Sequence, residues 1–156
     1  VNQIIQRIKY HEQGYWASPL TDAAWPAFED AFSHLEKAIL LPVPMHTSLF
    51  RLRRDNHAEL IARRLSAKSG FKVENNLIIK HQPTVRQAQL SGKARRANLS
   101  QAFTLSNMTH ISDIPMIIID DVTTTGTTLS VIAKRIKANT DLDIYGFTLA
   151  KKSLTN

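Results

Sequence analysis

The sequence predicts an α/β protein whose core is a mainly parallel sheet flanked by helices. Three observations predict it. Apolar runs of strand length alternate with amphipathic runs of helix length. One of them, Met116 to Ile119, is apolar at every position, as suits a central strand covered on both faces. It leads through Asp120 and Asp121 into a Thr/Gly turn, and then into a helix whose Leu129, Ile132, Ala133 and Ile136 share one face.

Taken in order, residues 1–9 suit a short amphipathic helix through Ile4, Ile5 and Ile8. Residues 10–23 read as irregular, with Gly14 and Ser18-Pro19 as turn signals. Pro26 fits the first turn of a helix that runs to about Lys37, with Phe28, Ala31, Phe32 and Leu35 as its apolar face. Ile39 to Val43 reads as a strand, followed by a polar, basic loop to about Asp55. The next helix runs to about Lys68, buries Ala58, Ile61, Ala62 and Leu65, and stops at Gly70. On its outer side Glu59 supports Arg63 at i, i+4, and Arg64 points into water. Leu77 to Ile79 is a further strand, residues 81–98 are polar and weakly periodic, and the last strand spans 143–150.

Bulk composition narrows the class. The 156 residues suit a single domain with a real core, and no apolar run reaches membrane length. The absence of cysteine excludes disulfides and thiolate zinc sites and fits the cytoplasm. A chain that opens on Val rather than Met is consistent with a piece of a longer protein. The net charge of +7 is uneven: residues 51–96 carry twelve Lys/Arg against three acids, and the remainder of the chain is slightly acidic. Such a segment suits a polyanionic partner, whether pyrophosphate, nucleotide or nucleic acid.

The acid pair and the turn carry the chemistry. At the carboxyl end of a central strand, Asp120 and Asp121 occupy the place where open α/β sheets bind ligands. The turn offers backbone N–H groups and hydroxyls at a helix start that has no acidic residue in its first turn, a setting suited to phosphate. Carboxylates accept from sugar hydroxyls, so the pair and the turn together suit a sugar phosphate. A P-loop ATPase would need G-x-x-x-x-G-K-[ST], and none of the five glycines is arranged that way.

The stretch from Met116 to Thr128 resembles the phosphoribosyl pyrophosphate (PRPP) motif of type I phosphoribosyltransferases. That resemblance implies a type I phosphoribosyltransferase-like fold. It assigns Asp120 and Asp121 to the ribose hydroxyls, and Thr124, Thr125, Gly126, Thr127 and Thr128 to the 5′-phosphate. It further implies Mg²⁺ bound mainly through PRPP, with few protein ligands. The loop at 44–54 would then meet pyrophosphate, with Arg53 as the first candidate cation and Arg51 and Arg54 beside it. The segment 81–98 resembles the loop that closes over PRPP in that superfamily, with Gln87, Arg95 and Asn98 as its polar contacts.

Further motifs are similar to the ComF family of competence proteins. Pro42-Val43-Pro44-Met45-His46, followed by Arg51-Leu52-Arg53, resembles the P-V-P-x-h…R-G-F-N-Q segment of that family. Arg53 and Asn56 match it, whereas Arg54, Asp55 and His57 depart from its Gly, Phe and Gln. Thr84-x-x-Gln87-x-x-Leu90, Arg95-x-x-Asn98 and Ala102-Phe103 match the family pattern, and Lys80 stands where the family usually has Arg. The family usually carries a four-cysteine zinc ribbon ahead of this region; these residues hold none. Membership implies a role in natural transformation, the handling of single-stranded DNA with helicase and recombination-loading partners. Two readings stand: a phosphoribosyltransferase acting on PRPP and an unnamed acceptor, or a non-catalytic DNA-handling protein that uses the basic segment 51–96.

Overall fold

The computed structural model describes residues 17–45, 55–81, 101–106 and 113–152. The elements in chain order are α1 (Ala17–Phe32), β1 (Ile39–Pro42), α2 (His57–Ser69), β2 (Lys72–Val73), β3 (Ile78–Lys80), β4 (Phe103–Leu105), β5 (Met116–Thr123), α3 (Thr127–Lys137) and β6 (Ile144–Lys151). Four strands form one parallel sheet in the order β2-β1-β5-β6. The strand at 78–80 does not join it: β3 pairs antiparallel with β4 in a separate two-stranded sheet.

The sheet is central because its strands are apolar on both faces. Ile117 and Ile119 pack with Leu40, Phe28, Ile61, Ala62 and Leu65 beneath α1 and α2. Met116 and Ile118 point the other way and pack with Ile39, Leu41, Phe103, Ile132 and Ile136 beneath α3 and the small sheet. Both faces are covered along all of β1 and along Met116 to Ile119 of β5, and every residue of these stretches is buried.

Two elements and one side chain differ from expectation. The first helix begins at Ala17 and ends at Phe32, so residues 17–23 are helical and Pro26 lies inside the helix rather than at its start. A mid-helix proline costs about 3 kcal/mol relative to alanine. The aromatic stripe outweighs it: Phe28 meets Phe147 edge-on at 5.1 Å and Phe32 at 4.9 Å, and Phe32 meets Tyr145 at 5.7 Å. The central strand runs on past the apolar run that ends at Ile119, as far as Thr123, because β6 continues to pair with it as far as Lys151. Arg64 does not simply point into water; its guanidinium donates two hydrogen bonds to Asp22 of α1, at 3.0 and 2.8 Å. The expected Glu59–Arg63 pair is present at 2.8 Å.

Both helix ends of α2 are set by local chemistry. Asn56 caps its start, accepting from the Ala58 N–H at 3.2 Å, and Gly70 ends it in the left-handed region at φ 77°. On the other face of the sheet, a Cβ at Gly146 would lie 3.3 Å from Leu129 Cδ1, so the missing side chain lets α3 settle close to β6. The helix expected at 1–9 and the segments 46–54 and 82–100 lie outside the described residues.

Candidate functional site

The strand order creates one special position. β1 leads through α2 outward to β2, whereas β5 leads through α3 outward in the opposite direction to β6. The chain therefore diverges between β1 and β5, and the crevice at the carboxyl ends of two such strands is the usual binding place of open α/β sheets. A cleft of ≈ 140 Å³ opens there. Val43, Pro44 and Met45 after β1 form one side, Asp55 to Ala58 at the start of α2 a second, and Asp120, Asp121 and Lys80 the rest.

The alternation that builds the core also aims the acids. Ile117 and Ile119 face α2, and Asp121 continues that row; Met116 and Ile118 face α3 and the small sheet, and Asp120 continues theirs. Asp121 accordingly meets α2, with its Oδ2 3.7 Å from His57 Nδ1. Asp120 acts electrostatically on Lys80 of β3. Each carboxylate is also steadied by its own strand: Asp120 Oδ1 accepts from the Asp121 N–H at 2.9 Å, and Asp121 Oδ1 from the Val122 N–H at 2.7 Å.

Lys80 is the cation of this cleft among the described residues. Its burial pushes its pKa below the ordinary lysine value, and the attraction of Asp120 opposes that fall in part. Its ammonium lies 5.5 Å from the centre of the Phe103 ring, a cation–π distance. Asn56 fixes the opposite wall: besides capping α2, its Nδ2 donates to the Val43 carbonyl at 3.1 Å, tying the helix start to the end of β1.

The threonine turn follows directly. Thr123 Oγ1 accepts from the Gly126 N–H at 2.9 Å, and Gly126 takes up a left-handed conformation at φ 70° that favours glycine. The hydroxyls of Thr125 and Thr127 lie 2.6 Å apart, so both converge on one point. Gly126 stands at the N-cap of α3, which has neither a side-chain cap nor an acidic residue in its first turn. Thr124 and Thr125 are exposed and Gly126 to Thr128 half-buried. The five loop residues sit beside the cleft without lining it; Asp120 and Asp121 do line it.

Of the residues singled out in the sequence, the structure thus gathers Asp120, Asp121 and the 124–128 turn at one edge of the sheet. Arg51, Arg53, Arg54, Gln87, Arg95 and Asn98 lie outside the described residues. Sequence reasoning gave no site role to Lys80 and no capping role to Asn56. The signal for both was present only as a match or departure from a motif, without the fold that brings positions 56, 80 and 120 together.

No protein-family model matches the chain. Competence protein F of Haemophilus influenzae is 32% identical over 140 residues, covering 86% of this chain and 60% of that protein. DNA utilization protein YhgH of Salmonella typhi and of Salmonella typhimurium is 30% identical over 100 residues, covering 64% of this chain and 43% of each relative. The chain spans about half the length of the curated relatives it matches. Among solved structures, the purine phosphoribosyltransferase of Pyrococcus horikoshii superposes with a TM-score of 0.50 at 20% identity, over 85% of this chain and 73% of that one. The hypoxanthine phosphoribosyltransferase of Staphylococcus aureus gives a TM-score of 0.50 at 12% identity, over 90% and 65%. At such identities these two establish the fold alone. The chain is a homologue of competence protein F, and its fold is that of the phosphoribosyltransferases.

Proposed function

We propose that the cleft binds PRPP or a related ribose 5-phosphate and that the protein works in DNA uptake. The observation that supports this most is the acid pair at the point where the sheet's connections diverge, followed without a break by an uncapped helix start. In this reading Asp120 and Asp121 accept hydrogen bonds from the ribose hydroxyls, and Thr124 to Thr128 hold the 5′-phosphate. Arg53, with Arg51 and Arg54, faces the pyrophosphate. Gln87, Arg95 and Asn98 close over the ligand and shield C1′ from water.

The donor set suits a Mg²⁺ ion that arrives with the ligand rather than one held in a protein cage. Among the described residues no group of three His, Asp or Glu side chains is placed to hold a metal. One oxygen of each aspartate already accepts from the strand backbone. Phosphate and hydroxyl oxygens of the ligand would hold the ion, which keeps much of its water. Bound so, Mg²⁺ would neutralise the departing pyrophosphate. The protein's part is to orient the ribose while the C1′–oxygen bond breaks and an acceptor takes its place.

Titration calorimetry of PRPP with Mg²⁺ tests the reading. Micromolar binding is expected, with a loss of about 100-fold in Asp120→Asn/Asp121→Asn, since each substitution removes a charge and turns one accepting oxygen into a donor. A folded protein that binds no PRPP would refute it.

A second reading has its own support: the relatives named for competence and DNA utilization, and the +9 segment 51–96. Single-stranded DNA on that segment would bind with a steep salt dependence, about 0.7 log units in affinity per log unit of salt for each phosphate neutralised. It would also survive Asp120→Asn.

A further inference from the structure

We propose that the groove between the end of α1 and the end of α2 docks a short basic segment of a partner protein, one that carries a large apolar side chain between lysines or arginines. The groove is separate from the ligand cleft. α1 leads into the start of β1 and α2 into the start of β2, so it lies at the amino edge of the parallel sheet, the far end from the acid pair. Its volume of ≈ 260 Å³ is nearly twice the ≈ 140 Å³ of the cleft. Aromatic rings line it: Phe28, Phe32 and Phe71 belong to the buried core, and Trp25 and Leu35 stand half-buried at its sides. Trp25 stacks on Phe28 at 5.8 Å, and Phe28 meets Phe71 at 6.3 Å, so the rings hold one another in place. An apolar side chain that enters leaves water for a floor that is already ordered, which keeps the entropic cost of docking low.

Charge decides what flanks the anchor. From residue 17 to residue 36 the chain holds Asp22, Glu29, Asp30 and Glu36 and no Lys or Arg, in a protein of net charge +7. Asp22 is neutralised by Arg64 at 2.8 Å and by Lys68 at 3.3 Å, and the Lys68 ammonium also lies 5.5 Å from the centre of the Trp25 ring. Glu29, Asp30 and Glu36 are exposed and form no ion pair among the described residues. Glu29 and Glu36 stand on the groove itself, and Lys37 does not. Carboxylates around an apolar floor attract Lys and Arg and repel nucleic acid. The basic segment 51–96 suits a polyanion, and this face suits a cationic protein segment. A purely basic tail would leave the rings in water, and a purely apolar one would leave the carboxylates without partners. A large apolar residue between cations satisfies floor and rim together.

The probe is the blocked peptide Lys-Lys-Phe-Lys-Lys, with Lys-Lys-Ala-Lys-Lys and Glu-Glu-Phe-Glu-Glu as controls. Binding to the full chain is followed by amide NMR shifts, which report place and affinity together. Saturable shifts are expected at the ends of α1 and α2, with an affinity on the order of tenfold above either control. Glu29→Lys/Glu36→Lys should lower that affinity by about tenfold. Both positions are exposed, and the variant's own amide spectrum checks that it is folded. Asp120→Asn/Asp121→Asn should leave peptide binding unchanged, since those residues lie at the other edge of the sheet. Equal binding of the Phe and Ala peptides, no effect of the charge reversal, or shifts that gather elsewhere or fail to saturate overturns the docking site. A dimer in light scattering that the charge reversal dissociates gives the groove to a second copy of this chain and overturns the assignment to a partner protein.

Discussion

Lys80 shows how a single side chain can be placed at some expense to stability for the sake of a site. Its ammonium is drawn out of water beside Asp120, and burial lowers its pKa from the ordinary value of 10.5. The folded protein then binds this proton less well than the unfolded chain. Stability should rise with pH between the lowered value and 10.5, and be lost again as the pH falls through that lowered value. Lys80→Met removes the charge while keeping an apolar stem against Phe103. It is expected to melt at or above the native temperature at pH 7, and the difference should narrow toward pH 10. Thermal melts at both pH values check this; a Met variant clearly less stable at pH 7 would mean that the Asp120 and Phe103 contacts outweigh the cost of burial. The acid pair was legible in the sequence because neighbouring residues carry it. Lys80 was not, because 40 residues separate it from Asp120 and only the packing of β3 against the central sheet brings them together.

At the level of elements, the start of α2 is the hinge between sheet and cleft. Asn56 makes two hydrogen bonds there, one inward to its own helix and one back to β1. Asn56→Ala removes both and should cost about 1 to 2 kcal/mol, the loss of an N-cap, as read by chemical denaturation. Because the freed helix start also lines the cleft, ligand affinity should fall even where the protein remains folded. The sequence located this helix closely, since its apolar spacing and its glycine stop are local signals. It misplaced α1 by treating Ser18-Pro19 and Pro26 as boundaries. Those residues do weaken a helix in isolation; the rings of Trp25, Phe28 and Phe32 pack so well against Phe71, Tyr145 and Phe147 that tertiary contact decides instead. The short strands β2 and β4 carried too few residues for any periodicity to show.

For the molecule as a whole, two cores on opposite faces hold one sheet, and the site depends on that sheet staying intact at its carboxyl edge. Phe28 is 1% exposed and touches four other rings of the α1 face. Phe28→Ala should cost about 3 to 5 kcal/mol by leaving a cavity. Ligand affinity, measured at a temperature where the variant is still folded, should change little, since the acids are held by β5 and not by α1. A large loss of affinity in the folded variant would show that the α1 face controls the cleft.

The sequence by itself determined the class of fold, the central strand, the acid pair and the threonine turn. Each of these is written in contiguous residues or in a short period, and short-range patterns survive without knowledge of the rest of the chain. Tertiary structure alone decided that the acids meet Lys80 and His57, that Arg64 reaches Asp22, and that β3 leaves the main sheet for β4. Those outcomes depend on which distant surfaces bury one another, and burial is a property of the packed molecule rather than of any local run of residues.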